Sequence, residues 1–384
     1  MAQKRYLFTP GPTPVPPQVL AALAEPVLHH RAPDFREVYA RVLGRLQEVH
    51  RTESPVLLFT SSGTGAFESA IANLVSPGER VLAVSAGSFG ERWASLGRRY
   101  GAEVEELRYA WGETPSPDDL RAKIGGLEPV SLVFLVHSET STGVVSDVRR
   151  LAEVVREAGA LSIVDAVSSL GAVPLEMDEW GLDVVVSGAQ KALMTPPGLA
   201  TVAVSDAAWG RVAAASSPRF YFDWERTRDA QERLDSAFTP AVSLVVALDV
   251  ALGLLLEGGL EAAFERHRQL GRACRAGIKA MGLDLFSPDE DRSAVVTAAR
   301  MPDGLESSQL TLALRERHGV TIAGGQGELK DAIFRIGHIG WYDEFDIATA
   351  LNAVELVLGD LGAPVERGVA ASRALEVYAE GVRV

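Results

Sequence analysis

Cysteine is almost missing from these 384 residues, with Cys274 alone. That excludes an intramolecular disulfide framework and a multi-cysteine metal site. Basic runs are missing as well, and 37 Lys and Arg face 51 Asp and Glu for a net charge of -14. Nucleic acid and anionic membrane are therefore poor general partners, although a local cationic pocket stays open. No apolar stretch has the length to span a membrane; the most apolar window, 242–256, is interrupted by Asp249. Nothing at the start reads as a secretory signal, so the expected location is the cytoplasm. Internal repeats and low-complexity tracts are lacking too.

What is present is an ordinary globular composition, 47% hydrophobic and 23% charged, in a chain longer than one hydrophobic core usually sustains. The expected organisation is an extended N-terminal arm over 1–18, a large domain over 19–255 and a smaller C-terminal domain over 256–384. The arm follows from the prolines of LFTPGPTPVPP at 7–17, which lack donors and restrict the residues before them. Short apolar runs at 56–60, 81–85, 104–107, 132–137, 161–165, 183–187 and 200–204 then alternate with helical spacing at 66–75, 91–100 and 148–158. This predicts an α/β fold, a mostly parallel sheet with helices on both faces. Residues 219–233 read as a connection, and a long helical stretch is predicted from 239 towards 277. Strands at 283–286, 295–300, 320–323 and 333–336 with helices at 307–317 and 344–358 predict a small α+β domain.

The chain's chemistry is sought where such a sheet places it, beyond the carboxyl ends of its strands. Lys191 follows the β-branched run at 183–186 and the small residues Ser187, Gly188 and Ala189. A lysine desolvated there has a neutral amine able to form a Schiff base with an aldehyde, as pyridoxal phosphate requires. A lysine snorkelling from a strand end is the competing reading. Asp165 ends the run 161–165 and suits a protonated pyridine nitrogen, or else caps the next helix. Val167 would cover one ring face and Phe89 the other, unless Phe89 is a core residue. Ser62, Gly63 and Thr64 lie between a strand and a helix, where free N–H groups favour a phosphate, or where a hydroxyl caps the helix. Neither a Walker lysine nor a Rossmann fingerprint accompanies them. Thr140 sits in the polar loop 137–143 and offers a hydroxyl to the ring oxygen or the phosphate. Arg335, in an apolar run, suits a substrate carboxylate or a structural ion pair.

Taken together, Pro10-Gly11-Pro12, Ser62-Gly63-Thr64, the loop 137–143, Asp165-Ala166-Val167, the stretch 187–198 and Arg335-Ile336-Gly337 resemble the class V, fold-type I pyridoxal-phosphate aminotransferases. The branch is that of the alanine:glyoxylate, serine:glyoxylate and serine:pyruvate enzymes. The resemblance implies pyridoxal 5'-phosphate as cofactor, Lys191 as its Schiff-base lysine, Asp165 on the pyridine nitrogen and Phe89 on the ring. It further implies Thr140 near the ring oxygen, Ser62, Gly63, Thr64 and Gln190 around the phosphate, and Arg335 on the substrate carboxylate, with the loop at Gly11 beside the substrate. A homodimer with shared sites is implied, Thr239 reaching the neighbouring subunit's phosphate. Ser236 and Phe89 stand where the animal enzymes carry tyrosine and tryptophan. The segments at 29–31 and 89–93 look more like microbial relatives, among them serine or aspartate aminotransferases and a hydrogenase-associated subunit.

The expected reaction moves an amino group from alanine or serine to glyoxylate or pyruvate by a ping-pong route. Aspartate or broader donors, or a non-transaminating partner subunit, are the alternatives. A cysteine desulfurase needs a nucleophilic cysteine on a mobile loop, whereas Cys274 falls mid-helix in the predicted pattern.

Overall fold

In the computed structural model, residues 4–127, 129–287 and 294–382 are described, and every count or absence below refers to them. The central sheet has seven strands, in the spatial order Val56–Phe59, Ala200–Val204, Val184–Gly188, Leu161–Asp165, Leu132–Val136, Arg80–Ser85 and Glu103–Arg108. Ala200–Val204 alone runs against the others, pairing antiparallel on both sides. The remaining junctions are parallel. The interior strands are buried except at the first residues of Arg80–Ser85 and Leu161–Asp165, because helices cover both faces. One face packs against Pro33–His50, Val148–Glu157 and Val242–Leu256. The other packs against Gly63–Leu74 and Ser88–Arg99. On that second face Trp93 is sandwiched between Phe67 and Phe134, at centroid distances of 4.5 and 4.9 Å, which seats the helix Ser88–Arg99 firmly on the sheet.

A third apolar cluster joins Phe8 to residues from Leu270 onward. Its sheet is Val296–Arg300, Ile333–Gly337 and Ala323–Gly324, with the middle strand antiparallel to both neighbours.

Several sequence expectations change. The helical stretch from 239 towards 277 is two helices, Val242–Leu256 and Leu260–Ala280, bent by 82°. Gly259, at φ +80, makes the turn in a conformation that other residues enter only with strain. Neither helix is long and apolar enough to cross a membrane. The run 320–323 divides: Val320–Thr321 pairs with Tyr6–Leu7, and Ala323–Gly324 pairs with Ile333–Gly337. The run 283–286 forms no strand, only a single bridge from Leu285 to Ala299. Residues 219–233 contain the helix Trp224–Gln231, whose N-cap Asp223 accepts from Arg226 N–H. The helix expected from 66 begins at Gly63, so the small-residue turn is itself the first helical turn.

Within the described residues, the N-terminal arm is pinned at several points before the helix Pro17–Leu23 begins. Tyr6–Leu7 runs parallel to Val320–Thr321, Gly337 N–H donates to Phe8 O at 2.9 Å, and Thr13 N–H donates to Gln190 O at 3.2 Å. This carries residues 9–13 across the ends of two strands that lie far apart in sequence.

Candidate active site

Lys191 follows the buried strand Val184–Gly188, and its amine donates to Pro10 O at 2.8 Å. Thr13 fixes the same turn from the arm, its hydroxyl donating to Lys191 O at 3.1 Å. Gly11 has no room for a side chain: a Cβ there would stand 2.3 Å from the Lys191 amine. Burial lowers the Lys191 amine to about 8, with Asp165 acting against the shift and Arg335 and Arg92 acting with it. A useful fraction is therefore neutral near physiological pH, as a nucleophilic amine requires.

Asp165 is 4% exposed at the end of an interior strand, and accepts from Val167 N–H at 2.9 Å. Burial pushes its carboxyl up to about 7; the Val167 N–H opposes this, Glu139 adds to it, and Lys191 and Arg92 oppose it. No cation lies within ion-pair distance of it among the described residues. A buried carboxylate held this way is suited to a cationic partner brought in by a ligand.

Gly63 and Thr64 open a twelve-residue helix whose N-cap, Ser62, makes no side-chain capping bond. The Gly65 N–H donates to Ser62 O at 2.8 Å, which leaves the Gly63 and Thr64 N–H groups at the positive end of the helix dipole. A Cβ on Gly63 would come within 2.8 Å of Val167, so this turn and Val167 form one tight wall. Gln190 is close by through Gly188, and its Oε1 is buried with no hydrogen-bond partner. Phe89 is half-buried in the first turn of Ser88–Arg99, with the Arg92 guanidinium 4.7 Å from its ring centroid. Arg92 also donates to Thr64 Oγ1 at 3.1 Å.

Arg335 comes from the other sheet. It is 4% exposed and donates to Gly324 O through Nε and Nη2 and to Thr140 O through Nη1. Burial lowers it to about 10, Glu139 opposing the shift. No carboxylate forms an ion pair with it among the described residues, so the structural ion-pair reading lapses. Thr140 is thus tied to Arg335 through its carbonyl. Thr239 stands apart: it is exposed and lines a small cleft with Thr60, Tyr221 and Phe238.

The sequence reading missed Arg92 and Glu139. Arg92 falls one helical turn after Phe89, a spacing that places both on one face. Glu139 sits in a loop already marked as polar, and nothing local distinguishes it. Cys274 is fully buried within Leu260–Ala280, and burial pushes its thiol up to about 11, so it lacks the exposed thiolate a sulfur-transfer nucleophile needs.

A model of the aminotransferase class-V family matches residues 5–332. The chain belongs to the class-V aminotransferases. It is a transaminase dependent on pyridoxal phosphate, and its fold is that of the fold-type I members. Among curated proteins, it is 43% identical to a soluble hydrogenase small subunit of Synechococcus sp. over 94% of this chain and 95% of that protein. It is 35% identical to an L-aspartate–glyoxylate aminotransferase of Paracoccus denitrificans, over 98% of this chain and 97% of the other. Among solved structures, the ureidoglycine–glyoxylate aminotransferase of Bacillus subtilis superposes with a TM-score of 0.94 at 33% identity, covering 99% of each chain. The residues present fit the cofactor: an amine of lowered basicity and a buried carboxylate that acts on it, and an uncapped helix start packed against Val167, two residues after that carboxylate.

Proposed function

We propose that this transaminase takes its amino group from a small amino acid, alanine or serine, and delivers it to glyoxylate or pyruvate by a ping-pong route. The observation that carries the reading is Arg335, a buried guanidinium bonded to the carbonyl oxygens of Gly324 and Thr140, whose charge acts on Lys191. Such a fork suits the carboxylate shared by amino acids and 2-oxo acids.

In this reading Lys191 would hold the cofactor through its aldehyde carbon. Ser62, Gly63, Thr64 and Gln190 receive the phosphate, and Val167 and Phe89 cover the two ring faces. Bound there, the cofactor supplies an electron sink for the pair left on the substrate's α-carbon. Asp165 would keep the proton on the ring nitrogen, Thr140 would steady the ring oxygen, and Arg335 would orient the substrate so that Lys191 Nζ, free once the substrate's own amine has replaced it on the aldehyde carbon, could take the α-proton. Gly11 and the arm close the side beside the amine and limit the room for a substrate side chain. The proposal keeps 1–18 as arm, 19–255 as cofactor domain and 256–384 as small domain, in a cytoplasmic homodimer in which Thr239 serves the partner's phosphate. The exposed Phe220 and Tyr221 pack on Phe238, the residue before Thr239, and this aromatic patch supports an interface there.

Aspartate is a second donor reading. Arg92 favours it, being half-buried at the site with no carboxylate partner among the described residues, so that a second substrate carboxylate would find a cation. The test is the visible spectrum of the holoenzyme mixed in turn with alanine, serine, aspartate and glutamate. The fastest spectral shift identifies the donor; no shift with any of them would favour a non-transaminating subunit. Lys191→Ala is expected to lower turnover by at least about 10²-fold while leaving the fold intact, and near-normal turnover would sink the assignment.

A further inference from the structure

Glu139 is 2% exposed, and both of its oxygens are committed. One accepts from Phe89 N–H at 3.0 Å and Gly90 N–H at 3.3 Å. The other accepts from Ser141 N–H at 3.2 Å and from the Ser141 hydroxyl. The helix Ser88–Arg99 begins after Gly87, which has no side chain to cap it, so a carboxylate 50 residues on in sequence does the capping. The fit is close: a Cβ on Gly87 would lie 2.5 Å from Glu139 Cγ. The neighbouring residue, Thr140, gives its carbonyl to Arg335. Glu139 thus stands between the aromatic ring and the guanidinium, and its charge acts on both Arg335 and Asp165.

We propose that Glu139 is a positioning residue with two separable effects: its carboxylate fixes Phe89 against the cofactor ring, and its buried negative charge offsets Arg335 until a substrate carboxylate arrives. The inference rests on the cofactor placement proposed above. A buried carboxylate is an expensive way to cap a helix where Ser, Thr or Asp at residue 87 would serve. Its placement here serves two site residues on two different elements. Three of its four donors are backbone N–H groups, so an acceptor-only carboxylate is needed; an amide offers one acceptor oxygen and must lose one side of the bridge.

The test measures two affinities that a merely structural role would move together. In Glu139→Gln, the Kd for pyridoxal phosphate, read by spectrophotometric titration, is expected to rise roughly tenfold. The Kd of the saturated enzyme for an unreactive carboxylate such as acetate is expected to stay level or fall, because a charge repelling it has gone. Glu139→Asp keeps the charge but retracts it, and is expected to weaken cofactor binding alone. Coupling to Phe89 is read from a double-mutant cycle: the effect of Glu139→Gln should largely vanish in a Phe89→Ala background. Unchanged cofactor affinity in both Glu139 variants, a parallel loss of both affinities, or additive effects in the cycle would each overturn the proposal. Failure of the wild-type protein to bind pyridoxal phosphate would instead overturn the placement on which it rests.

Discussion

At the scale of single residues the site is a set of groups that are costly in isolation and compatible only with a guest. Asp165, raised to about 7 by burial, holds its proton more tightly in the fold than in the unfolded chain between about pH 4 and 7. Its contribution to stability is therefore present at low pH and lost as pH rises through 7. Asp165→Asn is expected to melt a few °C higher than wild type, roughly, at pH 8 when both lack cofactor, and the gap should close below pH 4. The same variant should bind pyridoxal phosphate weakly, so that calorimetry with and without cofactor reverses the ranking. Arg335→Lys keeps a charge but loses the fork; KM for the amino donor should rise about 10- to 100-fold with a smaller change in kcat, measurable by steady-state kinetics. Lys191, Asp165 and Arg335 stood out in the sequence as candidates because each is a charge at an apolar run, and the structure finds Asp165 and Arg335 buried there. Glu139 did not stand out, since its meaning depends on N–H groups 50 residues earlier.

Among elements, the arm does work that its proline content only partly announces. Extension was readable from 7–17, but the landing place was not, because parallel pairing with Val320–Thr321 leaves no local mark. Phe8 enters the third apolar cluster at 2% exposure. Phe8→Ala is expected to cost about 3–5 kcal/mol in urea unfolding, and to loosen Pro10, whose carbonyl holds the lysine amine. The helix break at Gly258-Gly259 was likewise hidden by a helical pattern that continues on both sides. The division of 320–323 was hidden because an edge that changes partner at Ile322 keeps the same apolar run. Strands of the large sheet were read closely, since interior parallel strands are short, β-branched and bounded by helical spacing.

For the whole molecule, the proposed homodimer gives Thr239 its purpose. Sedimentation is expected to find twice the 41.0 kDa chain mass. Thr239→Ala should raise the Kd for pyridoxal phosphate several-fold, about the value of one lost hydrogen bond to a charged group, without altering the dimer. A monomer, or a Thr239→Ala enzyme with unchanged cofactor affinity, would remove the shared-site reading.

The pairing of Tyr6–Leu7 with Val320–Thr321 also sets a timetable for biosynthesis. During translation the first strand waits, unpartnered, while more than three hundred residues are added. Lys191 emerges long before Pro10 O can take its proton donor, because the segment that anchors the arm beside it is still unmade. A ribosome-bound chain therefore carries Lys191 as an ordinary protonated lysine until the enclosure that lowers its basicity is built, and the finished pocket arrives late, with Arg335, as the last sixth of the protein is released.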